Sequence, residues 1–257
     1  MNIVTLTTIP PRMDRLGDTL ASLLGQSLAP DRIILNIPRR YRRPEFTYDT
    51  LPKLPTGVDL QMVDQDYGPA TKLLPTLRAY AGQNVNIIFC DDDRIYPKQW
   101  LSNLVANSKQ FPNECITVAA GLIDQIEAYY HYVNRPKVKI LAPLYRKIYA
   151  LKKRRPIPSH LADIACGYGG ILVRPEFFDE EVFKIRDEFY TLDDTWLSGH
   201  MARRGIKIRV ATNAELPQAR DIAEVSSLKD LKTGALNQNA IDVACIRYFR
   251  DTYGIWK

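Results

Sequence analysis

Residues 87–93 read Ile-Ile-Phe-Cys-Asp-Asp-Asp, an apolar run that ends in three carboxylates. The apolar residues suit a strand buried on both faces of a parallel sheet. Such strands end in the crevice where open α/β sheets bind ligands. Asp91, Asp92 and Asp93 repel one another unless a cation or donor groups compensate them. Hard oxygen ligands favour magnesium or manganese, usually shared with a substrate phosphate. This points to metal-assisted chemistry on a phosphorylated compound. The bland alternative is a solvated acidic loop after a strand.

A second acidic pair, Asp193-Asp194, opens a helical stretch that runs through Trp196 and Leu197 to Arg203-Arg204-Gly205. Capping is the ordinary role for one acid at a helix N-terminus, where free N–H groups and the macrodipole welcome it. Two acids there leave one for general-base work. In the stretch Asp66-Tyr-Gly-Pro-Ala-Thr-Lys72, Gly68-Pro69 makes a turn, and Lys72 is placed to pair with a phosphate or to start a helix on the surface. Gly167-Tyr-Gly-Gly170 either brings backbone close to a ligand or makes a tight turn before a strand. His131, His160 and His200 form no HxH or HxxxH pair, and His200 shares a helix face with Trp196, which favours packing. The motifs GxSxG, GxxxxGK[ST] and GxGxxG are missing.

These residues need a framework to hold them. Strands are expected at 4–6, 33–37, 58–63, 85–90, 116–119 and 206–210, and the glycine turn leads into another ending at 173. Helices are expected around Met13, Leu16, Leu20 and Leu23; around Leu73, Leu74 and Leu77; and around Trp100, Leu101, Leu104 and Val105. Two more are expected over 193–204, with Trp196, Leu197, His200 and Met201 inward, and through Ile241, Cys245, Tyr248, Phe249 and Thr252. Residues 39–55, rich in Arg, Pro and Tyr, read as a loop. The alternation predicts βαβ units and a mostly parallel sheet.

A chain of 257 residues can bury a full core. No apolar run approaches the roughly 20 residues of a membrane helix, and the N-terminus does not read as a secretion signal. Four scattered cysteines without a CxxC suggest reduced, buried thiols in a cytoplasmic protein. The net charge of +6 is local: residues 135–158 hold nine Lys/Arg and no acid. Leu141, Leu144, Tyr145, Ile148 and Leu151 fall on one helical face within it. This reads as an amphipathic basic helix suited to an anionic membrane surface, or as a packed helix with a solvated basic side.

Taken in order, these pieces resemble a nucleotide-sugar glycosyltransferase of the GT-A fold, family 2-like and of bacterial polysaccharide type. Residues 5–12, Thr-Leu-Thr-Thr-Ile-Pro-Pro-Arg, look like the family's first strand and nucleotide-side loop. Residues 87–93 look like its DxD motif. Asp193-Asp-Thr-Trp-Leu197, ending in Ala202-Arg-Arg-Gly205, is similar to the "ED…L…RRxG" helix of inverting members, and 66–72 resembles a motif in some bacterial polysaccharide transferases. The resemblance implies an α/β, Rossmann-like, mostly parallel sheet with helices on both faces, in a single domain. Residues 1–120 would form the nucleotide half, 121–165 a basic excursion, and 166–257 the acceptor half and C-terminal helix.

The resemblance also implies metal-dependent transfer from a nucleotide-diphosphate donor, a UDP-sugar favoured, to a hydroxyl of a glycan or lipid-linked acceptor. Asp93 and Asp91 would hold Mn2+ or Mg2+, Asp91 would also contact the ribose, and Asp92 would assist. Asp194, with Asp193 beside it, would be the base. Thr7, Pro10, Arg12, Asp64, Asp66, Lys72, Gly169 and Gly170 would line the donor. Two departures bear on mechanism: no histidine follows His200 to complete the metal site, and the first acid of the "ED" is Asp193 rather than Glu. A DDD triplet also resembles retaining, exostosin-like enzymes. The basic segment would place the enzyme at the inner membrane face. Rival readings are a metal-dependent phosphoesterase and a basic nucleic-acid-binding protein. The second leaves both acidic clusters unexplained, so no nucleic-acid partner is expected.

Overall fold

The computed structural model describes residues 1–133, 161–225 and 238–257. The basic segment at 135–158 lies outside the described residues. The chain opens with β1 (Asn2–Thr7), α1 (Gly17–Leu24), β2 (Arg32–Pro38), β3 (Val58–Val63), α2 (Leu74–Ala79) and β4 (Asn86–Phe89). It continues through β5 (Arg94–Ile95), α3 (Trp100–Gln110), β6 (Cys115–Thr117), β7 (Ala120–Gly121) and α4 (Ile123–Val133). After 160 come β8 (Leu161–Ala162), β9 (Ile164–Ala165), β10 (Ile171–Val173), α5 (Asp193–Arg203), β11 (Ile208–Val210), β12 (Gln218–Ala219) and α6 (Gln238–Tyr253).

The main sheet has eight strands in the order β3-β2-β1-β4-β10-β6-β11-β8. Its first four strands are all parallel, β10 runs against both β4 and β6, and β11 returns parallel to β6. This is the α/β, Rossmann-like, mostly parallel sheet that the sequence predicts. Because β1 to β4 are parallel, the loops leaving their carboxyl ends gather along one edge.

Period-two alternation divides the apolar residues between two cores. Ile3, Ile34, Ile87, Phe89, Ile171 and Val173 face a core closed by Leu74, Leu77, Trp196, Leu197, Met201 and Phe249. Val4, Leu6, Ile33, Leu35, Ile88 and Leu172 face the other, closed by Leu20, Leu23, Trp100, Leu101 and Leu104. The inward faces predicted for α3 and α5 are buried. On α6 Ile241, Cys245 and Phe249 are buried, but Thr252 is exposed, and Tyr253 rather than Thr252 packs on the core in the last turn. The helix α4 and the strands β7 to β9 were not foreseen. They belong to the body: α4 packs on α6, β8 forms an edge of the main sheet and β9 pairs with β7.

The glycine turn at 167–170 is a packing device. Trp100 Nε1 donates to the Gly169 carbonyl at 2.8 Å. Gly170 has φ +84°, and a Cβ there would fall inside the Trp100 indole. Gly170→Ala therefore combines an unfavourable backbone with overpacking, and a loss of about 2 kcal/mol or more is expected in urea unfolding.

Candidate active site

The loops after β1, β2, β3 and β4 and the start of α5 enclose a cleft of about 620 Å3. Its floor is a buried polar network. The Thr5 hydroxyl donates to the Lys72 carbonyl at 2.8 Å and receives Thr76 at 2.8 Å and Asn36 Nδ2 at 2.9 Å. Strands β1 and β2 thereby hold the 3-10 turn Gly68–Lys72 and aim its last side chain into the cleft.

That side chain is the centre of the site. Lys72 is buried, and its ammonium pairs with Asp91 and, at 2.8 Å, with Asp193. Burial alone would lower its pKa, but Asp193, Asp91 and Asp194 outweigh the lost hydration and hold it well above the ordinary lysine value. The two acidic motifs, about a hundred residues apart in the chain, thus meet at one lysine. Gly167 closes the cluster from above: a Cβ there would lie 3.0 Å from Lys72 Nζ and 3.2 Å from an oxygen of both Asp91 and Asp194.

The three acids of the triplet have different surroundings. Asp92 is built in: it accepts from Thr8 Oγ1 at 2.6 Å and from Arg12 at 2.8 Å, and its carbonyl accepts from Thr19 at 2.9 Å. Asp93 lies between Arg12 at 3.3 Å and Arg94 at 3.2 Å. Its Oδ1 is buried and takes no hydrogen bond among the described residues. Burial, with Asp91 and Asp92 nearby, raises its pKa despite both arginines. Asp91 is the most open of the three, its side chain 26% exposed. The Tyr96 hydroxyl holds its backbone, donating to the carbonyl and accepting the N–H, each at 2.9 Å.

Neither acid of the second pair caps α5, contrary to the expectation for one of them. Asp193 is committed to Lys72. Asp194, part-exposed to the cleft, accepts the Gly167 N–H at 2.8 Å. Burial first, then Asp193, raises the Asp194 pKa well above the carboxylate range, and Lys72 opposes this. The Arg203-Arg204 pair is outside the cleft lining and grips Asp179 at the far end of the helix. His200 is packed among Trp196, Phe249 and Tyr253, and burial pushes its pKa down to about 4.

Of the other residues singled out, Thr7, Arg12, Asp66 and Lys72 line the cleft. Both Asp66 oxygens are already used, by Arg42 N at 2.8 Å, Tyr190 Oη at 2.6 Å and Gly68 N at 2.7 Å. Pro10 begins a 3-10 turn outside the lining, and Gly169 and Gly170 sit behind it against Ala119 and Trp100. Asp64 is exposed and pairs with Arg39 at 3.0 Å on a neighbouring groove. The structure adds Thr8, Tyr41, Arg43, Phe46, Arg94, Tyr168, Tyr190 and Asp242 to the lining. Arg94 directly follows the triplet and Thr8 follows Thr7, so adjacency was a usable signal for both. Tyr190 and Asp242 are distant in sequence and gave none.

The donor set fits a hard divalent cation. Seven carboxylates face the cleft against four basic side chains, so a diphosphate would need further positive charge. Asp93 has an oxygen that takes no hydrogen bond among the described residues, with Arg94 Nε 3.2 Å from it, and Asp91 is part-exposed. Among the described residues no three His, Cys, Asp or Glu side chains form a ready-made cage. Magnesium-type ions are commonly held by one or two carboxylates together with substrate phosphates.

Two outcomes are expected. Arg12→Ala leaves buried Asp92 short of its cation and should cost about 3 kcal/mol in urea unfolding. Asp194→Asn keeps the acceptor for the Gly167 N–H but removes the carboxylate. The raised pKa means that the folded state holds this proton more tightly than the unfolded chain, so the stability it contributes is lost as pH rises through the folded value. The variant should melt with the parent under acid conditions, below the ordinary value of 3.8, and above it at about pH 8, as differential scanning calorimetry would register.

No protein-family model matches the chain, and no curated protein matches it in sequence. Among solved structures it is similar to the crystal structure of S. aureus TarS 1-349, at 11% identity and a TM-score of 0.46, with 98% of this chain and 72% of that one covered.

Proposed function

We propose that the chain is a glycosyltransferase that moves a sugar from a nucleotide-diphosphate donor, a UDP-sugar favoured, to a hydroxyl of a glycan or lipid-linked acceptor. One observation carries this reading: Lys72 draws Asp91 of the triplet and the Asp193-Asp194 pair around one point of a cleft at the carboxyl ends of parallel strands. Donor-side and acceptor-side carboxylates are thereby close enough to serve one reacting carbon.

In this reading the nucleotide lies toward Thr7, Tyr41 and Tyr190, and Asp91 meets the ribose. Asp91 and Asp93 would hold Mn2+ or Mg2+, which supplies charge to the departing diphosphate. Lys72 fixes the Asp193 carboxylate in place through their 2.8 Å pairing. Asp194, oriented by the Gly167 N–H, takes the proton from the acceptor hydroxyl as its oxygen bonds to the anomeric carbon. The bond from that carbon to the diphosphate oxygen breaks, and the nucleoside diphosphate leaves. A carboxylate with a raised pKa is the stronger base for this transfer. A base acting from the face opposite the leaving group would invert the configuration.

Asp194→Asn should bind the nucleotide sugar as the parent does and lose transfer by about 100-fold or more. Asp93→Ala should lose metal-dependent nucleotide binding. Calorimetry for binding and acceptor-dependent release of nucleoside diphosphate for turnover separate the two. Normal turnover by Asp194→Asn would remove its assigned role.

A further inference from the structure

Beside the cleft lies a second groove of about 1000 Å3, formed by the loop after β2 and the start of the loop after β3. The two cavities share Tyr41, Arg43, Phe46 and Asp66, so a chain leaving the cleft on this side enters the groove. The sign of the charge changes across that shared wall. The cleft is rich in carboxylates, whereas the groove holds Arg39, Arg40, Arg42 and Arg43 against Asp64 and Asp66. Asp66 is already held by three donors. Asp64 pairs with Arg39, and its side chain is 94% exposed, so water screens most of that pairing. Arg42 lies over the Tyr190 ring at 4.2 Å and pairs with Asp187 at 2.9 Å. Arg40 and Arg43 have no ion pair among the described residues. Arg43 is half-buried at the junction, laid over Phe46 at 4.7 Å.

A part-buried guanidinium without an anion, continued outward by three more arginines, is costly unless something negative occupies the groove. Guanidinium forks match carboxylates and phosphates bidentately. A neutral sugar would accept hydrogen bonds from them but would leave the charge of Arg40 and Arg43 uncompensated. A nucleic-acid backbone following the groove would run into the acidic cleft. We propose that the groove formed by residues 39–43 binds an anionic glycan, one bearing carboxylates or phosphodiesters. Resting on the transferase reading, the groove holds the acceptor chain while its terminal hydroxyl reaches Asp194.

The test uses the full chain and fluorescence anisotropy at about 150 mM salt, where diffuse surface attraction is screened. Labelled hexagalacturonate and a labelled glycerol-phosphate hexamer probe the two anion sources; maltohexaose and a random DNA duplex are the controls. The double variant Arg39→Gln/Arg40→Gln changes exposed side chains only, so its melting temperature should match the parent. It should bind at least one of the anionic probes about tenfold or more weakly, the loss of roughly one charge-assisted contact. Lys98→Gln/Lys109→Gln, which removes two exposed charges outside the lining of both cavities, should bind that probe within about twofold of the parent, since isolated surface charges contribute little at this salt. Equal binding by the groove variant, equal binding of maltohexaose, or full competition by the duplex would overturn the assignment. Calorimetry with UDP-sugars keeps the two proposals apart. A protein that binds the anionic probe through these arginines but takes no nucleotide sugar would retain the groove and overturn its role as an acceptor site.

Discussion

The buried ammonium of Lys72 is the constraint around which this molecule is arranged. Taking a cation out of water costs several kcal/mol, and it persists in a protein only with close opposite charges. Here those charges come from Asp91 at the end of β4 and Asp193 at the start of α5. The lysine itself is set by a hydroxyl network rooted in β1 and β2. None of these elements can shift alone without stranding a charge. The obligation runs the other way as well, since without Lys72 the acids gathered at Gly167 would face one another uncompensated. One ion cluster therefore fixes the relation of the parallel half of the sheet to the helix that follows the antiparallel insertion.

The same electrostatics divide the acids by role. Asp92 is saturated by Arg12 and Thr8 and ties the triplet to the loop after β1. Asp193 is neutralised by Lys72. Asp91, Asp93 and Asp194 retain unused capacity: a part-exposed carboxylate, a buried oxygen without a hydrogen bond among the described residues, and a raised pKa. A cleft so built is short of positive charge on the donor side and holds a strong base close by. The arginine groove next to it has the opposite imbalance. The reading of donor, base and acceptor follows from these differences in charge, with Gly167 marking how closely the backbone approaches them.

Much of this was legible in the sequence because it is local. Short apolar runs located β1 to β4, and the abrupt change from Phe-Cys to three aspartates marked a strand's carboxyl end. Helical spacing placed Trp196 and His200 inside. What escaped had a long-range cause. Nothing near Lys72 announces that it is buried, since its partners lie 19 and about 120 residues away. Gly169 and Gly170 looked like ligand-facing glycines, yet Ala119 leaves no room for a side chain at the first and the indole of Trp100 none at the second. The two-residue strands β7 to β9 are too short to carry a period. Asp64 and Asp66 read alike, and only the turn at Gly68 and the phenol of Tyr190 separate a buried brace from a surface acid.

The central claim is that the acidic triplet forms a metal-dependent donor site beside the Asp193-Asp194 pair. Isothermal titration of UDP-sugar into the full chain, with and without manganese, tests it most directly. The account predicts one saturable site, dependent on the metal and abolished by Asp93→Ala. Absence of binding across UDP-, GDP-, CMP- and dTDP-sugars with manganese present, in protein shown to be folded, would contradict it.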